Sequence, residues 1–388
     1  MNRWPALSSR ARAIEPTLIR SLRSKMGPET IDFGLGQADL PVSTVVKEAL
    51  LQDWKEEIFA PYTPNAGLIE AREAVGRHCG VQAKEVLLTC GVQEALAVTI
   101  FGFLEHGDEV LVPDPGFPAY ENLVRAAGGI PVPYRLRPPD ESFRGWKLDL
   151  EEALKGITSS TKLAILNNPS NPTGTVLGRE SLASFLNALE DQGVVWISDE
   201  IYEDYDWGGS FTTARELAPH GSGLTLSGLS KSHHLMSWRL GWILGPEEII
   251  EGLTPLHQHL VTSAPLPAQR AAIAALGSHH EAFSETAHHF RRRREIGLET
   301  LEDLEVIYPE GAGGAFYFFL DLRPWMSTFP NTLALAEALL REEDVMTVPG
   351  EGFGKQGLGH LRLAYTIEEK KLRTGLIRVR RFLERYQP

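Results

Sequence analysis

Lys231 follows a short apolar run, Leu224-Thr-Leu-Ser227, and two small hydroxyl residues, Ser227 and Ser230. Arg239 stands just ahead of another apolar run, Trp242-Ile-Leu244. An amine held in such surroundings can attack a carbonyl and form an imine, although a lone lysine is ordinarily a surface residue. A second signal is Asp199-Glu-Ile-Tyr202, directly after the apolar run Gly193 to Ser198. A carboxylate ending a buried strand is costly unless it meets a cation or several donors; capping a following helix is the alternative use of such an aspartate. The third is Asn168-Pro-Ser-Asn171-Pro-Thr-Gly174 after Lys162 to Leu166. Its two prolines would hold an amide side chain in one place, and it also reads as a plain turn of turn-formers.

Together these residue types match what one cofactor requires. Pyridoxal-5′-phosphate (PLP) needs a lysine amine for its aldehyde, a carboxylate to keep its ring nitrogen protonated, and donors for its phenolate oxygen. Its phosphate needs backbone amides, hydroxyls and an arginine.

The elements that must position these groups are short β-branched or leucine-rich runs alternating with helical spacing between about residues 80 and 245. Strands are predicted at 86–89, 109–113, 162–166, 193–198, 224–227 and 242–244, with helices such as 93–104 and 180–189. This alternation predicts an α/β fold with a largely parallel central sheet, buried on both faces and covered by helices, which collects ligands at the carboxyl ends of its strands. From about 265 the pattern changes to long helices, a Gly-rich turn at 310–314, a strand over 315–320, a helix over 332–342, one strand near 345–348 and another at 360–364. This predicts a smaller α+β domain, joined through a long helix around 280–303. The expected division is an N-terminal arm, 1–45, packing with the small domain; a large domain, 46–285; and a small domain, 286–388.

A length of 388 residues suits two such domains, and 43% hydrophobic with 23% charged residues is a globular composition. The net charge of −13 disfavours a nucleic-acid partner. The basic run Arg291 to Arg294 fans around a helix and reads as a solvated surface. The first residues lack the apolar core of a secretory signal and no apolar run is long enough for a membrane span, so a cytoplasmic location is expected. Cys79 and Cys90 have no metal-ligand spacing and read as core thiols; no metal is expected.

The chain resembles the class I/II aminotransferases of PLP fold type I, similar to aspartate aminotransferase, from about residue 30 to the C-terminus. The strings that carry the resemblance are Tyr62-Thr-Pro-Asn-Ala-Gly67, Ala71-Arg-Glu-Ala-Val75, Thr89-Cys-Gly-Val-Gln-Glu-Ala-Leu96 and Asp114-Pro-Gly-Phe-Pro-Ala-Tyr120. To them are added the three strand-end motifs, Gly314-Ala-Phe-Tyr317, Pro349 to Gly354 and Leu361-Arg-Leu-Ala364. The resemblance implies Lys231 as the Schiff-base lysine and proton carrier, Asp199 against the pyridinium nitrogen, and Tyr202 and Asn171 on the phenolate oxygen. It implies Phe117 on the ring face, Gly91, Val92, Gln93, Ser230 and Arg239 around the phosphate, and Tyr62 reaching the phosphate of a neighbouring subunit, hence a homodimer. Arg362 would grip the substrate α-carboxylate in a two-pronged pair, with Gly36 approaching the same group.

Several positions depart from the family's commonest pattern: Gly228 where a phosphate-binding Ser or Thr is frequent, with Ser227 or Ser230 as replacements; Met236-Ser237 in place of Thr-Gly; Gln37-Ala-Asp39 without a proline; and Phe117 without a tyrosine hydroxyl. The implied activity is ping-pong transfer of an amino group from an amino acid to a 2-oxo acid. A carbon–sulfur β-lyase on the same fold is the near alternative, and a PLP-binding regulator a remote one. No G-x-G-x-x-G opens a helix after the first strand, which argues against a nicotinamide enzyme. His233 and His234 read as structural.

Overall fold

The computed structural model describes residues 7–14, 18–58, 61–218 and 221–387; parts of the N-terminal arm, 1–6 and 15–17, lie outside the described residues. Its centre is an eight-stranded sheet in the order β2-β9-β8-β7-β6-β3-β4-β5. These strands are β2 (Val86–Thr89), β3 (Glu109–Asp114), β4 (Ile130–Arg137), β5 (Lys147–Leu148), β6 (Thr161–Asn167), β7 (Val195–Asp199), β8 (Gly223–Gly228) and β9 (Gly241–Leu244). The run β8-β7-β6-β3-β4 is parallel throughout, whereas β9 runs antiparallel to both β8 and β2. The inner strands are buried along almost their whole length, as apolar runs without alternation require.

The expectation omitted β4, whose Pro131 and Pro133 argue against a strand. The structure tolerates them because β4 pairs with β3 on one side and meets β5 only at Leu136 and Arg137 on the other. Over its prolines it is in effect an edge strand, and no ladder donor is lost.

A second sheet, in the order β10-β13-β12, is antiparallel and built from β10 (Tyr317–Asp321), β12 (Val348–Pro349) and β13 (His360–Ala364). The helix His279–Leu301 precedes it in the chain. The single strand expected at 345–348 is two: β11 (Val345–Met346) pairs with β1 (Ile31–Asp32), and β12 pairs with β13. One stretch of chain thus serves two sheets, changing partner at Thr347. The N-terminal segment is fastened on the same side, where Ala364 N donates to Phe33 O and Thr366 Oγ1 to Leu35 O.

The basic run is only in part the solvated surface expected, because Arg291 is exposed and Arg293 is buried. Arg293 is 3% exposed and bonds Asp39 at 2.8 Å, Arg294 donates to the carbonyls of Ala312 and Pro309, and Arg291 lies over the Trp207 ring. Only Arg292 keeps an ordinary surface pairing, with Glu295. The two thiols are free and half-buried, and Cys79 packs against a hydrophobic core cluster. Among the described residues no helix is long and apolar enough to cross a membrane.

Candidate active site

Because β8, β7, β6 and β3 are parallel neighbours, their carboxyl ends open on one edge of the sheet, where Asp199, the last residue of β7, meets Lys231, Asn171 and Phe117 from the loops that follow β8, β6 and β3. The reversal at β9 adds two more groups. Thr89 at the end of β2 pairs with Gly241 at the start of β9, so the helix Val92–Phe103 begins, and the segment carrying Arg239 ends, at that same edge. The result is a cleft of about 370 Å³ lined by Lys231, Asp199, Tyr202, Asn171, Val92, Gln93, Phe117, Ser230, Arg239, Arg362 and Gly36. Every site residue expected from the sequence therefore meets at one place except Gly91 and Tyr62. Gly91 is the N-cap of the helix whose next two residues line the cleft, and Tyr62 is 89% exposed on its own chain.

Lys231 Nζ donates to Gly36 O at 2.9 Å. Burial and the Arg362 guanidinium lower its pKa to about 8, against the opposing pull of Asp199. The backbone is held from below, where Tyr205 donates its hydroxyl to Lys231 O at 2.8 Å. Asp199 is buried and accepts from Tyr120 Oη at 2.8 Å and from Ile201 N at 3.2 Å. Burial lifts its carboxyl to about 6, and these two donors with the Lys231 charge hold it from rising further.

Tyr202 Oη lies 2.8 Å from Tyr317 Oη, both buried. Arg362, 3% exposed, donates to Asn171 Oδ1 at 2.9 Å and Gly34 O at 2.6 Å, and its guanidinium carbon stands 4.5 Å from the Tyr317 ring centroid and 4.8 Å from that of Phe353. Its Nε has no hydrogen-bond partner among the described residues. The Asn171 backbone is held by Asn167, whose Oδ1 accepts from the Asn171 backbone N–H at 2.7 Å while its Nδ2 donates to Asp199 O.

At the other end, Gly91 has φ +84, and a Cβ there would stand 2.5 Å from Arg239 Nη2. The first amides of a helix have no acceptor within it, so those of Val92 and Gln93, with Ser230 and Arg239, form a cradle suited to an anion. The departure at Gly228 has a steric reason: a Cβ would lie 2.7 Å from Leu240 O and 2.8 Å from Gly241 Cα, where β8 and β9 approach. Ser227 is no substitute, because its hydroxyl points to Glu203 Oε1 at 2.6 Å, away from the cleft. Ser230 does line the cleft. His233 and His234 do not; His234 Nδ1 lies 3.1 Å from Pro41 O.

Sequence reasoning missed Tyr120, Tyr205, Tyr317 and Asn167. Tyr120 and Tyr317 stood within strings that carried the resemblance, but no spacing tied them to Asp199 or Tyr202.

Comparison with known proteins agrees with this geometry. The family profile "Aminotransferase class I and II" matches residues 28–379. A probable aspartate/prephenate aminotransferase of Aquifex aeolicus is 32% identical, over 98% of this chain and 96% of its own. The Thermus thermophilus aspartate aminotransferase, solved as a double mutant, superposes with a TM-score of 0.89 at 31% identity, covering 98% of this chain and all of that one. An aromatic aminotransferase from Pyrococcus horikoshii gives 0.85 at 28%, covering 95% and 99%. With its fold, its cleft and its sequence in agreement, the chain belongs to the class I and II aminotransferases, enzymes that transfer amino groups.

Proposed function

We propose that this aminotransferase holds PLP on Lys231 and moves the amino group of an amino acid to a 2-oxo acid in two half-reactions at one cleft. The observation that carries the reading is the convergence of the Lys231 amine, the Asp199 carboxylate and the Arg362 guanidinium beside a helix start that Arg239 approaches closely because Gly91 has no Cβ. When bound, PLP supplies an aldehyde that accepts the amino group and a protonated ring that takes up the electron pair left at the substrate Cα.

The chain's own residues do the rest. Arg362 binds the substrate α-carboxylate through a guanidinium that Asn171 and the Gly34 carbonyl hold in orientation. Lys231 Nζ, with a pKa near 8, is largely available as the neutral amine in mildly alkaline solution; it removes the Cα proton and returns it in the reverse half-reaction. Asp199, fixed by Tyr120, keeps a proton on the ring nitrogen, and Tyr202 and Asn171 serve the phenolate oxygen. Phe117 packs on the ring face. The amides of Val92 and Gln93, Ser230 and Arg239 hold the phosphate, and the segment Gly34–Gln37 helps to exclude water.

We read the large sheet as the centre of a unit over 46–285 that carries the cofactor, and the small sheet as that of a unit over 286–388 that carries the clamp. Tyr62 then reaches the phosphate of a second copy; its exposure, with that of Ile69, Leu260 and Val261, supports a homodimer. A cytosolic location accords with two free thiols.

The test is chemical. After incubation with PLP and reduction with borohydride, peptide mapping is expected to find a pyridoxyl group on Lys231. A colourless protein, or an adduct elsewhere, refutes the assignment.

A further inference from the structure

The cleft is lined by three cations among the described residues: Lys231, Arg239 and Arg362. On the reading above each already has a partner, namely the aldehyde, the phosphate and the α-carboxylate. The N-terminal segment contributes Ile19, Leu35 and the neutral amide of Gln37 to the lining, and the loop after Lys231 contributes Met236. Ile19 and Met236 are partly buried and packed against the core. Arg125 lines a separate cavity that shares Phe117 and Tyr120 and is already bound to Glu121 at 2.6 Å, and Arg293 is bound to Asp39 at 2.8 Å.

We infer that the amino donor this site prefers has an uncharged, largely apolar side chain, and that aspartate and glutamate are poor donors. A second carboxylate entering against Ile19, Leu35 and Met236 would lose water and find no unpaired cation among the described residues of this chain in return. An aliphatic or aromatic side chain gains by covering the same surface. Gln37 is exposed at the mouth, so a cation can be placed there without disturbing the core.

The inference rests on the PLP reading, and the experiment separates the two. With the holoenzyme, the donor half-reaction is followed by absorbance for leucine, methionine, phenylalanine, aspartate and glutamate. Binding of 4-methylpentanoate, 3-phenylpropanoate and succinate is measured by calorimetry. We expect kcat/KM for the best apolar donor to exceed that for aspartate and glutamate by about tenfold or more, and the better apolar acid to bind tighter than succinate by a similar factor. Gln37→Arg should shift both ratios toward the dicarboxylic compounds by about tenfold. Aspartate or glutamate reacting as well as the apolar donors, succinate binding as tightly, or ratios unmoved by Gln37→Arg would overturn the inference while leaving amino transfer intact. Absence of amino transfer from every donor would sink the PLP reading and this inference with it.

Discussion

Asp199→Asn should make the cofactor-free protein more stable while disabling it. Burial lifts the Asp199 carboxyl from the ordinary 3.8 to about 6, so at about 1.4 kcal/mol per pH unit the ionised group costs the folded protein about 3 kcal/mol above both values. Asparagine removes the charge but keeps one oxygen for two donors, Tyr120 Oη and Ile201 N, which gives back about 1 kcal/mol. The net gain is about 2 kcal/mol near pH 7.5.

The sign fixes the pH dependence. A carboxyl whose pKa is raised by folding favours the folded state most below 3.8 and loses that contribution as pH rises through about 6. The variant's advantage therefore opens with pH and closes to near zero by about pH 4.5. Guanidinium unfolding at equal protein concentration, followed by circular dichroism at both pH values, measures it. Amino transfer by the variant should fall by about a hundredfold or more, because the neutral amide cannot hold the ring proton. A variant less stable than wild type at pH 7.5, or a difference that ignores pH, refutes the reasoning.

Three further outcomes follow from neighbouring contacts. Tyr120→Phe removes a charge-assisted bond worth about 1.5–3 kcal/mol from Asp199, raising that carboxyl by about one to two pH units; the acid limb of kcat/KM should move upward with it, and an unmoved limb excludes the link. Arg362→Lys should lower kcat/KM by about a hundredfold, mainly through KM, since an ammonium cannot make the two-pronged pair; steady-state kinetics with unchanged circular dichroism decides this. Gly228→Ser restores the hydroxyl frequent in the family but drives a Cβ against Leu240 O and Gly241 Cα. It should cost about 2 kcal/mol in denaturant unfolding, and an equally stable variant with tighter PLP binding would contradict the steric account.

Local chemistry made much of the site legible in the sequence. Apolar runs closed by polar motifs identified β6, β7 and β8 together with the groups at their ends, because a parallel sheet buried on both faces leaves continuous apolar strands and delivers its ligands at their carboxyl ends. The two prolines of β4 misled, since whether a proline costs a ladder bond depends on which side of the strand is paired. Arg293 misled for a related reason: the face of its helix that meets Asp39 depends on how a segment 254 residues distant returns.

Residue types and the order of most elements, β4 and the division of 345–349 excepted, were thus determined by the chain alone. Which side chains serve one another was decided only by the tertiary structure. Tyr120 reaches Asp199 across 79 residues because β3 lies beside β6 and β6 beside β7. Arg362 reaches Asn171 across 191 because the small sheet packs over the loop that follows β6. Ser227 and Ser230, three residues apart, face different surroundings. Hydrogen bonds act over about 3 Å, and no sequence spacing specifies which distant strands come within that distance.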